Sequence, residues 1–211
     1  CGGIETELLL ADFNGKKSNT KLGEFSVIES ISVMQGTPKE YGWDETVIFF
    51  NNSEKFDYHC PNELVDMRSG VICIPENYQS LEDSPDFKLR ITHPANFSKW
   101  NALSKKEYQE QKATHESILL ENALQYLDNA EVNQETISDR ILITDTFTPK
   151  TIKRFTSHEN GTLYGSPTKK RDGSTRFRNL YLAGTDQGYI CIVGAMLGGI
   201  AIANNRILRS D

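Results

Sequence analysis

The chain has 211 residues, 37% hydrophobic and 25% charged, with a formal net charge of −6, a mean hydropathy of −0.49 and a pI near 5.3. That length accommodates one or two cores, and the acidic balance excludes the basic footprint of a nucleic-acid binder. No apolar run approaches the ~20 residues that span a bilayer as a helix. Residues 1–24 combine a short apolar run, Leu8 to Ala11, with the polar stretch Asn14 to Thr20, and read as a truncated strand end followed by a loop. From Phe25 to Ile91, strand signals repeat at 25–34, 46–50, 70–74 and 87–91. Turn clusters at 35–38, 51–53 and 83–86 separate them, a pattern that predicts an antiparallel sheet.

Pro94 to Trp100 reads as an aromatic loop. Ser104 to Asn129 is the expected long helix, with Tyr108, His115, Ile118, Leu119, Ala123, Tyr126 and Leu127 broadly on one side. Ser104 followed by Glu107 fits a capping box. Ile137 ends a short helical turn, and Arg140 to Thr144 is the next expected strand. A sheet with one long helix across a face is an α+β layer.

The tail carries the most information. Leu180 to Ala183 is a short apolar run between Asn179 and Gly184, read as a buried strand. After a turn bounded by Gly184 and Gly188, a helix begins in which Ile192, Met196, Ile200, Ala203 and Ile207 form an apolar stripe. Gly194, Gly198 and Ala201 make an almost bare opposite face. Glycine in a helix costs roughly 1 kcal/mol relative to alanine, so the bare face implies close approach of a flat ligand or of another backbone. Asp186 is placed either to accept hydrogen bonds from ligand hydroxyls or to cap the helix that follows.

The segment Asn179-Leu-Tyr-Leu-Ala-Gly-Thr-Asp-Gln-Gly188 with its glycine-rich helix resembles the carboxyl-terminal signature of the FAD-dependent phytoene desaturase, carotenoid isomerase and retinol saturase family, within the amine-oxidase-like flavoproteins. Thr148-Pro-Lys-Thr-Ile-Lys-Arg-Phe-Thr156 and Gly161-Thr-Leu-Tyr-Gly165 are similar to a second block of that family in order and spacing. The match is strong over 146–208, weak over 25–145 and absent over the first twenty or so residues. It implies FAD contacts from Gly184, Thr185, Asp186, Gly188, Tyr189, Ile192, Val193 and Gly194. The first-turn amides would face the electron-rich edge of the flavin. It also implies that Tyr164 and Gly165 line a tunnel for a hydrophobic polyene, the alternative being an ordinary glycine-bounded hairpin. Arg154 pairs with a carboxylate or reaches toward the flavin.

No Gly-x-Gly-x-x-Gly follows a strand, so the expectation is the carboxyl-terminal portion of a longer oxidoreductase that desaturates, saturates or isomerises C=C bonds. This piece alone is expected to be inactive and to lack FAD. The expected domains are 1–24, a linker; 25–145, an α+β substrate domain; and 146–211, the returning strand and helix of the FAD-binding α/β domain. An amine-oxidase-like flavoenzyme, or a non-catalytic module for an apolar ligand or protein partner, is the competing reading. Four cysteines without a C-x-x-C pair signal neither zinc nor a disulfide framework. An intracellular setting is therefore expected, cytoplasmic or peripheral to a membrane. The four histidines lack metal-ligand spacing along the chain, and Lys169 to Arg171 reads as a solvated basic turn.

Overall fold

The computed structural model describes residues 3–15, 21–78, 84–127 and 134–209, apart from the side chains of Gln134 and Cys191. It divides into two compact units, Ser26–Lys150 (the sheet unit) and Cys1–Phe25 with Thr151–Asp211 (the terminal unit).

The sheet unit is α+β, as expected. Its strands are β1 (Ser26–Gln35), β2 (Val47–Asn51), β3 (Ser69–Cys73), β4 (Asp86–Ala95) and β5 (Ile141–Phe147), joined antiparallel in the order β2-β3-β4-β1-β5. The period-2 pattern sends Ile28 and Met34 of β1 and Phe87, Leu89 and Ile91 of β4 to one face. There they pack with Phe50, Ile72, Trp100 and, from the long helix, Leu119, Leu120 and Ala123. Ser30 and Ser32 share that face, and the Ser32 hydroxyl meets Thr144 Oγ1 at 2.9 Å, a cross-strand bond that satisfies both.

Three expectations for this unit need correction. Residues 94–100 are not a loop: β4 runs through Pro94 to Ala95, and the Asn96 side chain accepts from Lys99 N–H at 3.0 Å to cap α2 (Phe97–Ala102). The long helix α3 (Lys105–Leu124) stops short of Asn129, with a turn from Gln125; Asp128 and Asn129 lie outside the described residues. Its start is the expected capping box, Ser104 N–H donating to Glu107 Oε2 at 2.8 Å and Glu107 N–H to Ser104 Oγ at 3.3 Å. A short helix, α4 (Gln134–Ser138), precedes β5. The third correction is the boundary, which falls near residue 150 rather than 145. Thr146 and Phe147 are still paired with Ser30 and Glu29, and Thr148 Oγ1 is bonded to Tyr108 Oη at 2.9 Å.

In the terminal unit, the expected strand end and loop are instead a helix, α1 (Gly3–Phe13), burying Ile4, Glu7 and Ala11 at helical spacing. Pro149 opens α5 (Pro149–Thr156), a position where its missing N–H costs nothing. The buried strand expected at 180–183 does not form. Only an isolated antiparallel bridge joins Tyr181 to Ser174, because a ladder needs neighbouring strands and none exists among the described residues of this unit. The glycine-rich helix is present as α6 (Cys191–Ile202), widening into a π-type turn over Ala203–Ile207, where Leu208 N–H bonds to Ala203 O at 2.8 Å.

Candidate functional site

Gly184 and Gly188 bracket a 3₁₀ turn, Thr185–Gln187, with φ of 87° and 99°, conformations that only glycine adopts without strain. The turn leads into α6, whose N-cap Ile190 offers no side-chain hydrogen bond. The first-turn amides at Ile192 and Val193 therefore have no intrahelical partner and no cap from the Ile190 side chain among the described residues. Around them the side chains of Ile190, Ile192, Val193, Met196, Leu197 and Ile200 are 50–81% exposed. The anticipated stripe of Ile192, Met196, Ile200 and Ile207 thus lies in the open.

The bare face is a correction. A Cβ on Gly198 would lie 2.2 Å from Gln187 Oε1, and one on Gly194 would lie 3.0 Å from the Tyr189 carbonyl carbon. These glycines admit the chain's own preceding turn, the second of the two occupants the spacing allowed. Gln187 is fully buried, its Nε2 donating to Arg171 O at 3.1 Å. Gly199 faces open space.

Asp186 does not cap the helix that follows, whose N-cap is Ile190. It is 2% exposed and caps a different helix, accepting from Ile4 N–H of α1 at 3.0 Å and from Ser166 N–H at 2.8 Å. A carboxylate at a helix N-terminus is favoured by the macrodipole. Gly165, at φ 65°, lies so close that a Cβ would fall 2.2 Å from Asp186 Oδ1. The glycine makes room for the carboxylate. Tyr164 stacks on Phe25 at 6.0 Å and 7°, its ring part-exposed, in an irregular segment rather than a hairpin. Arg154 lies 5.4 Å from the Phe155 ring centroid and makes no ion pair among the described residues.

The basic turn is not simply solvated. Lys170 Nζ meets buried Glu7 Oε2 at 2.5 Å, Arg176 joins the same carboxylate, and Lys169 Nζ donates to Tyr164 O. Burial alone would raise the Glu7 carboxyl, but the two cations hold it below the ordinary range. Burial also depresses the Lys169 ammonium.

The sheet unit contributes a second surface that the sequence reading did not single out. Opposite the core, Phe49, Val71, Thr92, Glu29 and Phe147 align across the five strands, and Val47, Cys73, Arg90, Ile31 and Asp145 form the next row. Phe49 is 79% exposed, and Ile143 beside Val33 is also open. Arg90 grips Glu29 Oε1 near the middle of this face, through Nη2 at 2.7 Å and Nε at 2.9 Å. The available signal was apolar side chains at both parities of β1 and β2, which implies that each sheet face meets something apolar.

His93 sits on the core face, fully buried, with Nδ1 3.2 Å from Asp66 O and Nε2 without a hydrogen-bond partner among the described residues. Burial pushes its pKa below the ordinary value. In the terminal unit, the Glu5 carboxylate beside His158 raises that imidazole instead. The linkage signs are opposite. His93 contributes stability that is complete above about pH 6.5 and declines as pH falls toward its folded value, whereas the His158 contribution is complete below about pH 6.5 and is lost as pH rises through its folded value. An NMR titration of the His Cε1–H resonances in chelator-treated buffer is expected to place the His93 midpoint below the ordinary histidine value of about 6.5 and the His158 midpoint above it, so that His93 titrates below His158. The reverse order would overturn both assignments.

No protein-family model matches the chain, and a search of the curated proteins finds no match. No helix among the described residues is long and apolar enough to cross a membrane.

Proposed function

We propose that this chain is part of an FAD-dependent oxidoreductase that acts on C=C bonds of a hydrophobic polyene. The terminal unit would contribute to the flavin domain, and the sheet unit would lie over the substrate. The observation that carries the reading is the start of α6: an uncapped helix N-terminus ringed by the exposed Ile190, Ile192 and Val193. Such an end offers main-chain donors and the positive end of a dipole to an electron-rich ring edge, while the apolar collar suits a flat aromatic system.

The dipole is worth roughly 0.3–1 kcal/mol at an exposed helix end and ~2 kcal/mol when partly buried. That tunes a flavin's potential, and the hydride chemistry itself belongs to the cofactor. Of the residues that the family resemblance nominates, Gly184, Thr185, Gly188, Tyr189, Ile192, Val193 and Gly194 stay in this proposal as the shell around the helix start. Asp186 supports them from behind through Ile4 and Ser166. The open sheet face, with Phe49, Val71, Ile31 and Phe147, has the apolar character needed beneath a polyene.

The longer polypeptide carrying these residues is expected to purify yellow, with bound FAD released on denaturation, while the 211-residue chain alone retains none. A colourless long form overturns the proposal and leaves a non-catalytic module that binds an apolar ligand.

A further inference from the structure

We propose that Glu5, His158 and Asp186 form a binding site for a divalent first-row metal ion within the terminal unit, a function separate from flavin binding. The three side chains come from α1, from the loop after α5 and from the Thr185–Gln187 turn. One ligand atom of each lies within 4.8 Å of the other two. His158 Nδ1 and Glu5 Oε1 are 3.6 Å apart, an ion pair when the imidazole is protonated but longer than a direct hydrogen bond. Two donors held at ~2.1 Å by one tetrahedral ion are separated by about 3.4 Å. The gap is therefore the size of a shared cation.

A second observation points the same way. Glu5 Oε2 and His158 Nδ1 are both shielded from solvent and make no hydrogen bond within 3.5 Å among the described residues, His158 Nδ1 having only the longer contact to the other Glu5 oxygen. Buried polar atoms in folded proteins are almost always satisfied, and one cation satisfies both of these. The remaining donors are pre-positioned from behind, the support that metal ligands usually receive. Glu159 N–H holds Glu5 Oε1 at 2.9 Å, while Ile4 and Ser166 N–H groups hold the two oxygens of Asp186. No Lys or Arg among the described residues forms an ion pair with either carboxylate, because Lys170 and Arg176 are engaged by Glu7.

Two carboxylates and one imidazole suit Mn²⁺, Fe²⁺ or Zn²⁺ rather than the soft ions that thiolates select. Three protein ligands leave positions for water, and the ion would clip α1 to two distant segments of its own unit.

The test is a Mn²⁺ titration of the chelator-stripped 211-residue chain, followed by electron paramagnetic resonance. One saturable site with ¹⁴N coupling is expected. Glu5→Gln and His158→Ala should each weaken binding at least about tenfold, while His59→Ala and His115→Ala leave it unchanged. Because a variant could lose its fold, the unsubstituted chain supplies a second readout. Substoichiometric Mn²⁺ should broaden the NMR resonances of His158 ahead of those of His59, His93 and His115. Absence of a saturable site, or broadening that begins at another histidine, overturns the proposal. Neither result bears on whether the longer protein carries flavin.

Discussion

Replacing Asp186 by alanine is expected to destabilise the terminal unit by about 4 kcal/mol, since two buried N–H groups, at Ile4 and Ser166, each lose a charged acceptor worth roughly 2 kcal/mol. The carboxylate has no alternative nearby for these donors to rotate toward, because both are main-chain groups fixed by α1 and by the left-handed Gly165. Amide hydrogen exchange in α1 should therefore accelerate by about three orders of magnitude. Asp186→Asn keeps one acceptor and turns an amide N–H₂ toward the other donor, so an intermediate loss is expected. If α1 exchange were unchanged in Asp186→Ala, the capping role described here would be wrong. If Asp186→Asn matched the parent, the negative charge would be irrelevant to it.

The second large effect belongs to the sheet unit. Trp100 is fully buried, donates Nε1–H to Leu64 O at 3.1 Å, and meets Tyr108 and His115 edge-on at 5.8 and 5.4 Å. It anchors α2 and α3 to the core while satisfying the carbonyl of the Leu64 loop. Trp100→Ala is expected to cost about 3–5 kcal/mol, chiefly through the cavity, because Leu64 O keeps its second bond, from Asn96 N–H at 3.0 Å. Trp100→Phe should retain most of the packing and lose about 1 kcal/mol with the hydrogen bond. Urea unfolding followed by far-ultraviolet circular dichroism measures both. A loss below about 1 kcal/mol for alanine would show that the indole is not central to this core.

Local chemistry was largely legible in the sequence where a feature depends on neighbours along the chain, the Asn96-capped helix at 97–102 being the exception. The strand signals at 25–34, 46–50, 70–74 and 87–91 and the Ser104–Glu107 box all correspond to observed elements. Features that depend on distant partners were not legible. The buried side of α1 consists of Ile4, Glu7 and Ala11, and a glutamate on an inward stripe hides it from any hydropathy pattern. Its burial is permitted only by Lys170 and Arg176, more than 160 positions away. Asp186 was visible as an acidic residue beside a helix start, but the helix it caps is α1 rather than α6, and nothing local distinguishes the two. Likewise, the histidines show no ligand spacing in sequence, yet folding sets His158 beside Glu5 and Asp186. The glycines of α6 announced a close approach correctly and left its partner open; the partners turned out to be Gln187 and Tyr189.

The discontinuous make-up of the terminal unit has a consequence for biosynthesis. A ribosome releases Gly3–Phe13 before its partner, since the carboxylate that receives Ile4 N–H lies 182 positions downstream. Meanwhile the segment Ser26–Lys150 has everything required for its own sheet and core. Nascent chains should therefore complete that portion first, with α1 waiting unanchored until the segment that carries Asp186 emerges. During that interval Leu9, Leu10 and Phe13, exposed even in the finished fold, are the segment that a nascent-chain chaperone would meet.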